Sequence, residues 1–243
     1  MKRLIQRIAF LFVLGISTST QAYAQTNDYH VNEDARRLIN NIIAAYGGFE
    51  RLTNVSRMMS VMQMNSGGRQ IHVTLYETRQ KIRREILAGR QMIQTYDGTN
   101  GFVEANGHSV PAPEALTQDL RGQIAKGVMQ ASLVVNFTGT NSFVKFLGKM
   151  EYESAQFFVI QTHDAKGQVV EHYFDPANYR EFVEITKTKT GDEIQRFDEY
   201  KIFKGIFYPK KTTIKSADGR LLGGMELVKI SDDFDDLIFQ STR

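Results

Sequence analysis

The chain contains no cysteine and no tryptophan, only four prolines among 243 residues, and no apolar run of membrane-spanning length. Without cysteine there can be no disulfide framework, thiolate zinc site or thiol nucleophile, nor the lipid-modified N-terminal cysteine of a bacterial lipoprotein. The scarcity of proline, with no Pro/Ser-rich tract, leaves no linker to divide the chain. The longest apolar stretch runs from Ile8 to Ile16 and is broken only by Gly15, well short of the ~20 residues a membrane helix requires. Nucleophile-elbow, P-loop and dinucleotide-binding fingerprints are missing as well, so no enzymatic activity is expected.

What is present starts with the first 24 residues. Lys2, Arg3 and Arg7 precede the apolar stretch, and Ala22-Tyr23-Ala24 closes it with an A-x-A site, the layout of a cleaved secretory signal. The expectation is a protein exported to the periplasm, soluble and not lipidated, with residues 25–243 forming a single domain. The chain carries 30 basic and 27 acidic residues. The three basic residues of the leader account for the whole surplus, so charge gives no reason to expect a nucleic-acid partner.

A helix is written after a short polar lead. Asn32 suits an N-cap, Glu33 and Asp34 suit the positive end of the dipole, and Gly47-Gly48 suit the stop. Ala35, Leu38, Ile39, Ile42, Ile43 and Tyr46 form one apolar stripe between them. From Arg57 the pattern becomes β, with breaks at Ser66-Gly67-Gly68, Ala88-Gly89, Asp97-Gly98 and Asn106-Gly107. Leu116, Leu120, Ile124, Val128 and Met129 predict a second helical stretch over 113–131. Strands resume over 157–163, 168–174, 181–189, 193–203, 206–215 and 220–230. Short connections favour antiparallel pairing. The fold class expected is α+β, mainly antiparallel β, with about ten strands and two or three helices. Periodicity alone fits both a curled barrel and a sandwich.

Several short motifs bear on that choice. Ala44-Ala45-Tyr46-Gly47-Gly48, Asp97-Gly98-Thr99-Asn100-Gly101-Phe102, Tyr173-Phe174-Asp175-Pro176, Gly205-Ile206-Phe207-Tyr208-Pro209-Lys210-Lys211 with Asp218-Gly219, and Asp235-Asp236-Leu237-Ile238-Phe239 resemble the outer-membrane lipoprotein-sorting carriers (LolA/LolB-like). The resemblance extends over nearly all of 25–243. It implies an unclosed, half-open antiparallel β-barrel covered by helices. It also implies that acyl chains of lipoproteins or other lipids are the partners, passed from an inner-membrane transporter to an outer-membrane acceptor. The sequence departs from the family at Phe102, where Trp is usual, and at Arg79. Arg79 is the nearest match to the arginine that holds the lid, but it is followed by Gln80 rather than proline; Arg83 and Arg84 are alternatives. The departures suggest a divergent branch with a cargo of its own.

Met58, Met59, Met62 and Met64 lie within seven residues of one another. Flexible thioethers suit a cavity for acyl chains of varied shape, and Met58, Met62 and Met64 share one strand face with Ser60. The same stripe fits ordinary core beneath the first helix. Ile71, Val73, Leu75, Val159 and Phe182 are the other candidates for the apolar lining. The five histidines, His30, His72, His108, His163 and His172, are dispersed and lack ligand spacing, so surface or turn positions are expected and neither metal nor cofactor is assigned. The cluster Asp232-Asp233-Phe234-Asp235-Asp236 lacks EF-hand spacing and reads as a solvated turn before a last strand. Three functions remain open: a lipid carrier, a non-carrier accessory or binding subunit of an inner-membrane exporter or sensor built on the same barrel, and, more remotely, a hydrolase.

Overall fold

The computed structural model describes residues 33–66, 68–125, 128, 144–163, 168–189 and 191–240. The expected leader, the expected cap at Asn32, His30, residues 129–131 and the expected turn at 164–167 lie outside them. Helices α1 (Glu33–Ala45) and α2 (Phe49–Asn54) are followed by six strands: β1 (Arg57–Ser66), β2 (Arg69–Thr78), β3 (Ile82–Leu87), β4 (Gln91–Tyr96), β5 (Gly101–Ala105) and β6 (His108–Pro111). Helix α3 (Glu114–Ala125) leads to β7 (Val144–Tyr152), β8 (Ala155–His163), β9 (Val169–Phe174), β10 (Glu181–Thr186), β11 (Glu193–Phe203), β12 (Ile206–Ser216) and β13 (Leu221–Ser231). A 3₁₀ turn, Asp236–Phe239, comes last.

The thirteen strands of the described residues form one antiparallel sheet in the order β6-β5-β4-β3-β2-β1-β13-β12-β11-β10-β9-β8-β7. Two meanders are therefore joined along β1 and β13, and β6 and β7 remain as free edges, so the barrel is unclosed. Both edges are blunted against further pairing: β6 ends at Pro111, and β7 exposes Lys145, Lys149 and Glu151. The chain reaches the second edge from the first by way of α3.

The count of thirteen corrects the expected ten or so. Turns without glycine hid some of the strands. Thr78 closes the β2–β3 turn by itself, its Oγ1 accepting from Lys81 N at 2.9 Å and its N–H donating to the Lys81 carbonyl at 2.8 Å. Glu153 and Ser154 both adopt positive φ to join β7 to β8, a mirror-image hairpin turn that usually calls on Gly or Asn. The acidic cluster is corrected too, since among the described residues a 3₁₀ turn rather than a strand follows it. Asp235 Oδ1 caps the 3₁₀ turn by accepting from Leu237 N at 2.9 Å, and Asp232 pairs with Lys204.

Helix α1 stops where its glycines dictate. Gly48 N–H reaches back to the Ile43 carbonyl at 2.9 Å, the six-residue closure that a left-handed residue permits. Gly47 supplies that conformation at φ 129°, and it also meets the β11–β12 hairpin so closely that a Cβ there would lie 2.6 Å from the Gly205 carbonyl. Phe207 N–H then donates to the Tyr46 carbonyl at 3.2 Å. Two of the sequence motifs are thus the two halves of one joint, by which α1 is fastened inside the curve of the sheet.

Candidate functional site

The inner face of the curved sheet is built by alternation. Met58, Met62 and Met64 of β1, Ile71, Val73 and Leu75 of β2, and Ile82 and Ile86 of β3 are all buried. They form one cluster with Leu38, Ile39, Ile42, Ile43 and Tyr46 of α1, Leu120 of α3, Ile160 of β8 and Phe174 of β9. Six of the residues named from sequence as apolar lining are brought together there, beneath α1.

Val159 and Phe182 are not among them. In β8, Ile160 faces the inner cluster, so its neighbour Val159 points to the outer face. There Val159 packs with Phe157, Tyr173, Val183 and Ile185, with Phe182 against them. Phe182 stacks on Phe157 at 5.0 Å between ring centroids and carries the Arg196 guanidinium at 4.4 Å.

Helix α3 is held to the inner face differently. Leu120 is its one large aliphatic side chain that is fully buried. Beside it stands a polar cluster at inward-facing strand positions: Glu77 of β2, Arg84 of β3 and Gln94 of β4. Arg84, 3% exposed, donates to Gln94 Oε1 at 3.0 Å and to Gln123 Oε1 at 2.6 Å, and lies 3.6 Å from Asp119 Oδ2. Gln123 in turn donates to Glu77 Oε1 at 3.1 Å. Burial pulls the Arg84 pKa down, and Asp119 and Glu77 oppose that pull. On the Tyr208 phenol, burial and then the Glu77 charge act together and push its pKa up to about 12. Gly101 lets α3 approach β5, since a Cβ there would fall 2.4 Å from Thr117 Oγ1.

Arg79 does not contact α3. It lies at the surface and donates to the Thr53 carbonyl at the end of α2, at 3.0 Å. Arg84, with no proline after it, is the arginine that reaches the helix. The sequence carried a signal for it. Arg84 interrupts an otherwise apolar inward face between Ile82 and Ile86, just as Glu77 interrupts the series Ile71, Val73, Leu75.

A second polar cluster lies where α1 ends. Tyr46 Oη is 3.0 Å from Tyr200 Oη and accepts from Glu181 N at 3.1 Å, while Tyr200 Oη donates to the Glu181 carbonyl at 2.5 Å. Burial, and then the Glu181 charge, drive the Tyr46 phenol well above its usual range. The Glu181 side chain accepts from His172 Nδ1 at 2.7 Å. His172 is therefore a buried inner-face residue, which corrects the expected surface or turn position; His72, His108 and His163 are exposed. Burial lowers the His172 pKa, but the Glu181 charge and hydrogen bond and the Glu184 charge outweigh it, so the net shift is upward.

No protein-family model matches the chain, and no curated protein matches it in sequence. Solved structures do resemble it. A DUF1329 family protein from Desulfovibrio piger superposes with a TM-score of 0.54 at 9% identity, over 86% of this chain and 98% of that one. A LolA superfamily protein from Nitrosomonas europaea gives 0.53 at 15% identity, over 85% and 97%. The chain shares their fold along nearly its whole described length, and the resemblance read from its motifs agrees with it.

Proposed function

We propose that this protein is a periplasmic carrier that shelters the acyl chains of lipoproteins or other lipids on the inner face of its half-open barrel, for transfer toward the outer membrane. The observation that carries this reading is the attachment of α3, a cover with one fully buried aliphatic side chain, held to an apolar face in part by a polar fastening centred on Arg84. Acyl chains gain about 0.8 kcal/mol per methylene buried, so a carrier needs a cover that opens without breaking a large hydrophobic contact. Polar partners meet that need, because water replaces most of what they lose on separation. In this reading Arg84, rather than Arg79, holds the cover, and the sheet face that α3 uncovers receives the chains, continuous with the cluster of Met58, Met62, Met64, Ile71, Val73 and Leu75 beneath α1. No helix among the described residues is long and apolar enough to cross a membrane.

One observation favours a second reading, that of an accessory subunit using the barrel as scaffold. The α1 residues that pack on this face are 0–5% exposed, so α1 itself fills part of the interior. Native mass spectrometry and lipid extraction of protein purified from the periplasm separate the two. A carrier brings lipid with it or takes up a fluorescent fatty acid, and Arg84→Ala alters the rate of release. Protein with no lipid and no uptake leaves the scaffold reading.

A further inference from the structure

The His172 cluster on the inner face has the composition of a metal site. His172 Nδ1 lies 2.7 Å from Glu181 Oε1 and 3.7 Å from Glu184 Oε2, and one ligand atom from each of the three residues falls within 4.8 Å of the others. Donors sharing one tetrahedral ion with bonds of about 2.0–2.2 Å lie about 3.4 Å apart, so the Glu184 spacing already fits and the His172–Glu181 hydrogen bond has to open by less than about 1 Å to admit the ion.

The backbone is shaped to produce this convergence. Glu181 and Glu184 are three apart in one strand, which in regular β structure sends them to opposite faces. A bulge alters the parity. Glu181 pairs with Phe174, Val183 with Tyr173 and Glu184 with His172, so Phe182 is the extra residue and both carboxylates turn to the His172 side. Bulges that re-aim side chains are concentrated at functional sites. Glu181 is held from behind as well, its N–H and carbonyl both engaged by Tyr46 and Tyr200.

The far side of the imidazole is arranged too. Thr162 Oγ1 lies 2.9 Å from His172 Nε2. With an ion on Nδ1 in place of the proton, the neutral imidazole carries its proton on Nε2, and the Thr162 hydroxyl is placed to accept it, the outer partner that metal-binding histidines require. Glu184 is 23% exposed at its side chain, which gives an ion a way in.

We propose that His172 Nδ1, Glu181 and Glu184 bind a divalent transition-metal ion of the zinc type, oriented by Thr162, with the fourth tetrahedral position left to an outside ligand. Imidazole with two carboxylates and no sulfur suits zinc better than magnesium or calcium, which take oxygen ligands almost throughout. The site is independent of the carrier reading and stands or falls separately.

The test uses the untagged mature chain after EDTA treatment, titrated with zinc chloride by calorimetry and by thermal unfolding. One equivalent is expected to bind with a rise in melting temperature. Thr162→Val is expected to weaken the affinity about 10–100-fold, the range for loss of an outer partner, and Glu184→Gln to weaken it further. A combined His72→Ala, His108→Ala, His163→Ala variant should bind as the wild type does. The proposal is overturned if wild-type protein takes up no zinc, if Glu184→Gln binds undiminished, or if the triple variant loses the binding. Circular dichroism of the metal-free variants separates loss of ligand from loss of fold.

Discussion

Helices α1 and α3 lie against the same curved sheet and are attached to it by opposite means. Helix α1 buries Leu38, Ile39, Ile42, Ile43 and Tyr46 and ends in a glycine joint against Gly205. Helix α3 fully buries only Leu120, packs Leu116 and Ile124 half-buried against the same core, and adds the polar contacts of Arg84, Gln123, Asp119 and Glu77. Each fully buried aliphatic side chain contributes about 1.5–3 kcal/mol, so α1, with four buried aliphatics and Tyr46, is secured more firmly than α3, with one fully buried and two half-buried. A single sheet thus carries one helix that belongs to the core and one suited to local opening.

The sharpest way to break this contrast is to cut into α1. Ile42→Ala should cost about 2–5 kcal/mol, read as a cooperative loss of the whole fold in urea unfolding; a loss confined to α1 would show that it too is a detachable cover. Leu120→Ala should cost less in global stability, because α3 can detach while the barrel persists. Hydrogen exchange should then show α3 amides losing protection and β1–β2 amides keeping theirs. Gln123→Ala leaves buried Arg84 and Glu77 short of a partner, at about 1–3 kcal/mol, and should speed exchange in α3 without altering that in α1.

The smallest effect expected is one of pH, at the α1 end of the molecule. Because His172 has its pKa raised in the fold, its stabilisation is fully present below the unfolded value of about 6.5. It is lost as pH rises through the folded value. In EDTA, wild-type stability should therefore decline as pH rises above about 6.5, and His172→Gln should flatten that slope. Protection near Tyr46 should follow it while that of α3 does not.

The contrast between the helices was half visible in the sequence. The α1 stripe is readable because helical spacing and burial report the same face, and its glycine stop is a local requirement of the backbone. Strand β11, Glu193–Phe203, is readable from its β-type composition. Strand β7, with its Lys145, Lys149 and Glu151, escaped notice because an edge strand does not need the apolar alternation that marks a buried one. The fastening of α3 was legible only as isolated polar residues at inward positions, since nothing local says that Arg84 meets a helix 39 residues away.

The sequence by itself determined the antiparallel strands, the amphipathic first helix, the methionine-rich face under it and the absence of any thiol chemistry. Each of these depends on periodicity or composition, which act over a few residues. Only the tertiary structure decided that Arg84 rather than Arg79 reaches α3, that Val159 and Phe182 face outward, and that His172, Glu181 and Glu184 converge. Those outcomes depend on register, and a bulge of one residue in β10 changes which face a side chain occupies.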